Sequence, residues 1–119
     1  MNKRDIGSAG EDTAIKTLKK RGYKILERNH NTRFGEIDII AEEGGCLVFV
    51  EVKKRNSDRF GDSLSAITRT KREHMVKSAL WYMKRHKCFD RRVRFDAVGL
   101  DGEQVKIVKS AFMVEDDRR

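Results

Sequence analysis

The sequence predicts an α/β domain with a mixed central β-sheet flanked by helices, in the order αβββαββ. Three observations lead there. Apolar residues recur at helical spacing in two separate stretches, and runs rich in β-branched residues are set off by glycine turns. No proline, internal repeat or low-complexity tract interrupts the 119 residues. One hydrophobic core is affordable at 38% hydrophobic content, so a single domain is expected over 1–114 with a flexible tail at 115–119.

The first helix is expected from Ser8. Ser8-Ala9-Gly10-Glu11 has the form of a capping box, Ala14, Ile15 and Leu18 follow at helical spacing, and Arg21-Gly22 ends the helix. Glu11 lies on the same stripe as Ala14, Ile15 and Leu18, where a carboxylate is unusual. As the fourth residue of the box it would equally serve as a cap. Strands follow over Tyr23 to Arg28, Glu36 to Ala41 and Cys46 to Lys53, with Gly44-Gly45 turning the last two into a hairpin. After a polar loop, Asn56 to Asp62, Thr70-Lys71-Arg72-Glu73 marks the start of the second helix. Its apolar stripe is Met75, Val76, Ala79, Leu80 and Met83. The opposite side, His74, Lys77, Ser78, Trp81 and Arg85, is expected to be wet and basic. Strands over Val93 to Val98 and Val105 to Lys109, separated by Asp101-Gly102, complete the order.

Charge is unevenly spread. The chain carries a net charge of +8, yet Lys53 to Arg94 alone holds 14 basic and 4 acidic residues while the remainder is net −2. Such clustering favours a nucleic-acid partner over a merely solvated face. The longest apolar run, Cys46 to Val50, is far short of the roughly 18 residues of a spanning helix, and Met1 to Asp5 lacks the apolar stretch of a secretory signal. The expected setting is therefore cytoplasmic, with Cys46 and Cys88 reduced and too far apart in sequence for a zinc motif.

The hairpin register carries the chemistry. A two-residue turn at Gly44-Gly45 pairs Glu43 with Cys46 and sets Asp38 opposite Glu51, on the face of Leu47, Phe49, Glu51 and Lys53, with Glu36 nearby. The third strand is apolar on both faces and should be central. Two facing carboxylates repel in a low dielectric, and a hard divalent cation makes such a pair tolerable. A Mg²⁺ held by Asp38 and Glu51, with Lys53 beside it, would suit phosphodiester hydrolysis. A simple Glu51/Lys53 ion pair is the plainer account of an isolated E-x-K, and the hairpin context weighs against it.

Four segments in this order and spacing carry a resemblance: Gly7-Ser8-Ala9-Gly10-Glu11-Asp12-Thr13-Ala14, Arg33-Phe34-Gly35-Glu36-Ile37-Asp38-Ile39-Ile40, Phe49-Val50-Glu51-Val52-Lys53 and Arg94-Phe95-Asp96. Through them nearly the whole chain resembles the restriction-endonuclease-like superfamily of PD-(D/E)XK nucleases, and within it the small bacterial YraN branch, which is similar to archaeal Holliday junction resolvases. The position of the superfamily's proline is held by Ile37. The resemblance implies a restriction-endonuclease-like core in which Asp38, Glu51 and the carbonyl of Val52 ligate Mg²⁺, with Mn²⁺ an expected substitute. It implies Lys53 as the catalytic lysine and Glu11 as a further member of the acidic cluster, and it aligns Lys71 with a lysine of the branch's second helix, which makes Lys71 a secondary candidate for phosphate contact. A snorkelling surface lysine is an equal account of Lys71.

The expected function is thus a Mg²⁺-dependent endonuclease acting on DNA, with branched or Holliday-junction-like DNA as the leading substrate. Lys54, Arg55, Lys71, Arg72, Lys77 and Trp81 are the candidate nucleic-acid contacts, and a four-way substrate favours a homodimer. The competing class is a non-catalytic nucleic-acid-binding or adaptor module on the same fold. A protein-interaction scaffold is a third, and it predicts no salt-dependent DNA binding. His30, His74 and His86 are read as surface residues and Cys46 as a packed thiol. Asp96 is expected to buttress either the sheet or the acid cluster.

Overall fold

The computed structural model describes residues 3–54, 67–102 and 104–114. Its elements are α1 (Lys3–Lys20), β1 (Lys24–Thr32), β2 (Gly35–Glu43), β3 (Cys46–Lys54), α2 (Arg69–Arg85), β4 (Arg92–Asp101) and β5 (Gln104–Val108). The five strands form one mixed sheet in the order β1-β2-β3-β4-β5. All neighbours are antiparallel except β3 and β4, which run parallel across the α2 crossover. The expected α/β class and element order hold. The Asn56 to Asp62 loop, Arg55 and the 115–119 tail lie outside the described residues. No helix among the described residues is long and apolar enough to cross a membrane.

β3 is central, and its two apolar faces serve two cores. Leu47 and Phe49 pack with Met75, Ala79, Tyr82 and Met83 of α2, while Val48 and Val50 pack with Ala14, Ile15 and Leu18 of α1. Burial on both faces is why this strand reads as a continuous apolar run. Gly44 and Gly45 both have positive φ, 60° and 79°, as a two-residue primed turn requires. The register is the expected one, from Glu43↔Cys46 to Ile39↔Val50.

Helix boundaries depart from expectation in informative ways. α1 begins at Lys3, not Ser8, so Ser8 and Glu11 are interior residues and Glu11 has no box to close. Serine and glutamate cost only tenths of a kcal/mol inside a helix, so the four-residue pattern did not compel a start there. The C-terminal end is as read. Gly22, at φ 92°, closes α1 with its own and the Tyr23 amide returning to the Lys19 and Leu18 carbonyls at 3.1 and 3.0 Å. The N-cap of α2 is Thr68 rather than Thr70, its hydroxyl accepting from the Lys71 amide at 3.0 Å.

Two faces of α2 also need correction. Ser78, expected in the wet face, is buried because its hydroxyl pairs with Thr32 Oγ1 at 2.8 Å. Leu80, expected in the apolar stripe, is 51% exposed, and Tyr82 takes the buried place. His30 is likewise not a plain surface residue, since it packs edge-on to Tyr82 at 5.4 Å. β1 extends beyond Arg28 to Thr32 and turns through Arg33-Phe34 into β2, a hairpin with no glycine in its two-residue loop.

α2 ends as α1 does, but with Lys87 at φ 52° where glycine is the usual choice. The Lys87 and Cys88 amides return to the Lys84 and Met83 carbonyls at 3.4 and 3.0 Å. Lys87 is exposed, so its left-handed backbone gains nothing from packing. Lys87→Gly is therefore expected to raise stability by about 0.5–1 kcal/mol, read as a higher urea midpoint at unchanged slope.

Candidate metal centre

Four acids gather at the end of the sheet where β3 finishes. Glu11 from α1 and Glu36 and Asp38 from β2 place carboxylate oxygens within 4.8 Å of one another. Glu51, near the end of β3, is 8% exposed, and its charge acts on Asp38. The ladder's last pair is Ile39↔Val50, and one step further the Val52 amide donates to Asp38 Oδ2 at 2.8 Å. The Asp38 side chain thus accepts from the opposing strand, and the charge of Glu51 acts on it, although the ladder itself stops at Ile39↔Val50.

The strands are distorted at this point. Ile37 packs in the α2-side core and Ile39 in the α1-side core, although residues two apart in a strand share a face. Asn29, between Arg28↔Ile39 and His30↔Ile37 and so facing Asp38, has φ 55°. Asparagine tolerates that left-handed region better than most residues. Departure from regular alternation at Asp38 explains how one site draws on an acid of α1, on one side of the sheet, and a lysine of α2, on the other.

Burial sets the electrostatics. The Asp38 carboxyl is pushed up to about 7, first by desolvation and then by the charge of Glu51, while the Val52 amide and Lys71 pull it back. Glu51 is also raised, chiefly by burial, against the opposing pull of Lys71 and Lys53. Lys71 Nζ lies 3.2 Å from Glu51 Oε2. That ion pair lacks hydrogen-bond alignment, and Glu51 Oε2 is buried with no aligned donor among the described residues. Arg28 approaches from the other side, 3.4 Å from Glu11 and 2.7 Å from Asp12.

Carboxylate oxygens alone, crowded and partly desolvated, are the donor set of a hard divalent cation such as Mg²⁺. A buried carboxylate oxygen without an aligned donor fits the same group. Glu11 and Asp38 meet at this end of the sheet, the charge of Glu51 acts on Asp38, and that of Lys53 acts on Glu51. Glu36 joins them on equal terms with Glu11 and Asp38, although the register reading gave it only a nearby place.

The expected nucleic-acid contacts are more dispersed. Lys54 and Lys77 are exposed and Lys71 and Arg72 half-buried. Trp81 is half-buried as well, edge-on to Phe34 at 6.5 Å, so it is not the free ring its place on a wet face implied. Asp96 belongs elsewhere. It is fully buried and accepts from Tyr23 Oη at 2.7 Å, Arg94 Nε at 2.9 Å and the Ser110 amide at 3.0 Å. Of its two expected roles the described contacts match the sheet buttress. Asp96→Asn is expected to cost about 2 kcal/mol of unfolding free energy, since Arg94 loses one of its two anions and keeps Glu43 at 2.8 Å. A chemical-denaturation midpoint measures it.

A family model described as uncharacterised protein family UPF0102 matches residues 10–100, which includes Glu11, Glu36, Asp38, Glu51, Lys53 and Lys71. A UPF0102 protein of Caldicellulosiruptor saccharolyticus is 43% identical over 118 residues, spanning 94% of this chain and 100% of its own. One of Fusobacterium nucleatum is 41% identical over 110 residues, 92% of each chain, and one of Sulfurihydrogenibium sp. is 40% identical over 115. The match takes in every residue of the acid centre, from α1, β2 and β3, and the chain belongs to the UPF0102 family.

Proposed function

We propose that this protein is a Mg²⁺-dependent endonuclease of the restriction-endonuclease-like superfamily, in its YraN branch, acting on DNA in the cytoplasm. The observation that carries the reading is the meeting of Glu11, Glu36 and Asp38 within 4.8 Å beside a buried Glu51. Asp38 and Glu51 would hold the metal with the Val52 carbonyl, and Glu11 and Glu36 would complete its acidic surroundings. The chemistry such an ion, Mg²⁺ or Mn²⁺, would supply there is polarisation of a phosphodiester and a lowered pKa for a water. Lys53 would neutralise negative charge developing on the phosphate. The basic stretch from Lys53 to Arg94 supplies backbone contacts without sequence readout, which suits a substrate known by shape, such as branched DNA, and a homodimer if both strands of a junction are cut.

The second reading, a nucleic-acid-binding adaptor, has its own observation. Lys71 on Glu51 and Arg28 on Glu11 give two of the acids internal counter-ions, so the cluster is partly compensated without a metal. Labelled single-stranded, duplex, flapped and four-way-junction DNA, incubated with Mg²⁺, Mn²⁺ or EDTA, separate the two. Metal-dependent cutting that is absent in Asp38→Ala and Lys53→Ala supports the nuclease. Salt-sensitive binding with no cutting under any metal supports the adaptor.

A further inference from the structure

One flank of α2 and the segment after β5 together line an open cleft of about 390 Å³. That volume falls within the range of small-molecule sites, roughly 300–1,000 Å³. Its walls are of two kinds. Arg69, Arg72 and Lys77 supply three cations, and Val76, Phe112 and Met113 supply an apolar surface. Glu73 also lines it, 3.4 Å from Arg69, which leaves the lining net positive. Arg72 Nε is buried with no hydrogen-bond acceptor among the described residues. A buried, unsatisfied guanidinium N–H costs free energy until an acceptor arrives, and an anion is the acceptor it binds most strongly. Met113 is 76% exposed although it lines the cleft, so apolar surface there is open to a ligand.

We infer that this cleft is a subsite for a single unpaired nucleotide, with its phosphate on Arg72 and Arg69 and its base over Val76, Phe112 and Met113. An ion such as sulfate would satisfy the guanidinium groups and leave the apolar wall wet. An apolar ligand would leave Arg72 unpaired. A nucleotide answers both walls at once, and base contact with apolar side chains is tolerant of sequence. Lys71 and Arg72 are consecutive, one reaching Glu51 and the next lining the cleft, so α2 links the subsite to the acid centre. The inference rests on the nucleic-acid part of the proposed function and specifies it. The preferred DNA would carry an unpaired nucleotide beside the cut, as a flap or an open junction does.

The test is an amide-resolved NMR titration in EDTA with thymidine 5′-monophosphate, thymidine and inorganic phosphate as separate probes. The monophosphate is expected to shift amides within Arg69–Lys77 and Phe112–Val114, with at least about tenfold tighter binding than either fragment, a difference of about 1.4 kcal/mol. Arg69→Glu, at a side chain 83% exposed and safe for folding, and Arg72→Gln should each weaken it by a similar factor. Equal affinity for phosphate and the monophosphate, or shifts confined to Phe34 and Trp81, would overturn the subsite. Because no metal is present, absence of DNA cutting leaves this result standing. A metal-dependent nuclease that ignores the monophosphate at millimolar concentration overturns the subsite and spares the acid centre.

Discussion

Asp38→Asn is expected to lower the single-turnover rate of DNA cutting by roughly 10³-fold or more, the equivalent of about 4 kcal/mol of transition-state stabilisation. The same change should leave DNA affinity unchanged or slightly tighter. The substitution is nearly isosteric, and its carbonyl oxygen can still accept from the Val52 amide that Asp38 Oδ2 now holds at 2.8 Å. What it removes is a negative charge between Glu36, Glu11 and Glu51, and with it the anion that would fix a divalent cation. A phosphate backbone nearing this end of the sheet is repelled by the acids when no cation intervenes, so binding without metal should benefit from the loss. Rates under Mg²⁺ and anisotropy in EDTA, measured on wild type and variant, give both numbers. A variant that cuts within a few-fold of wild type would remove Asp38 from the chemistry.

The fold was legible wherever a local rule decided it. Gly22 and the Gly44-Gly45 pair sit at positive φ, and from them the end of α1 and the β2-β3 register follow. The run Leu47 to Val50 reads as a central strand because burial on both faces leaves no room for polar alternation. Legibility ended where a distant partner decided. Ser78 is polar and buried because Thr32 meets it across 46 residues, and nothing near Ser78 announces that. The expected caps at Ser8 and Thr70 rest on four-residue patterns, whereas the start of α2 depends on which threonine stands free of the first turn.

The site divides the same way. Asp38 and Glu51 pair by turn geometry, whereas helical spacing alone leaves Glu11 equally a cap; the resemblance is what puts it in the cluster, and an α1 that begins five residues before Ser8 leaves it no box to close. Glu36, two residues before Asp38, shares its face on any regular strand, but only the packing of α1 on the sheet brings Glu11 to both of them. One sequence signal was present: Asn29, in a stretch whose neighbours pair with β2, is a poor strand residue and a good left-handed one. A residue held in the left-handed region opposite Asp38 marks the place where these two strands part from regular geometry.

In EDTA the protein is expected to lose stability as pH rises from about 4 to 8, on the order of 3 kcal/mol. The cause is Asp38, whose carboxyl moves from an ordinary 3.8 to about 7 on folding, first through burial and then through Glu51. A group with a raised folded pKa favours the native state while protonated. Its contribution is therefore full below about pH 4 and lost as pH climbs through 7. Glu51, raised by burial, acts in the same direction, and Glu43, lowered by Arg94, matters only on the acid side of that window. Asp38→Asn removes the titration, so its urea midpoint should vary less with pH and exceed wild type at pH 8. A divalent cation should oppose the loss in wild type alone, because it binds the ionised acids of the native state, adding about 2.7 kcal/mol at a hundredfold excess over Kd. Urea midpoints at pH 5 and pH 8, with EDTA and with Mg²⁺, test both arms for the two proteins. Whether Mg²⁺ stabilises at pH 8 distinguishes the two accounts of the acids. If Lys71 and Arg28 were sufficient counter-ions, Mg²⁺ would change nothing at pH 8, and the cluster would be a structural ion network rather than a metal centre.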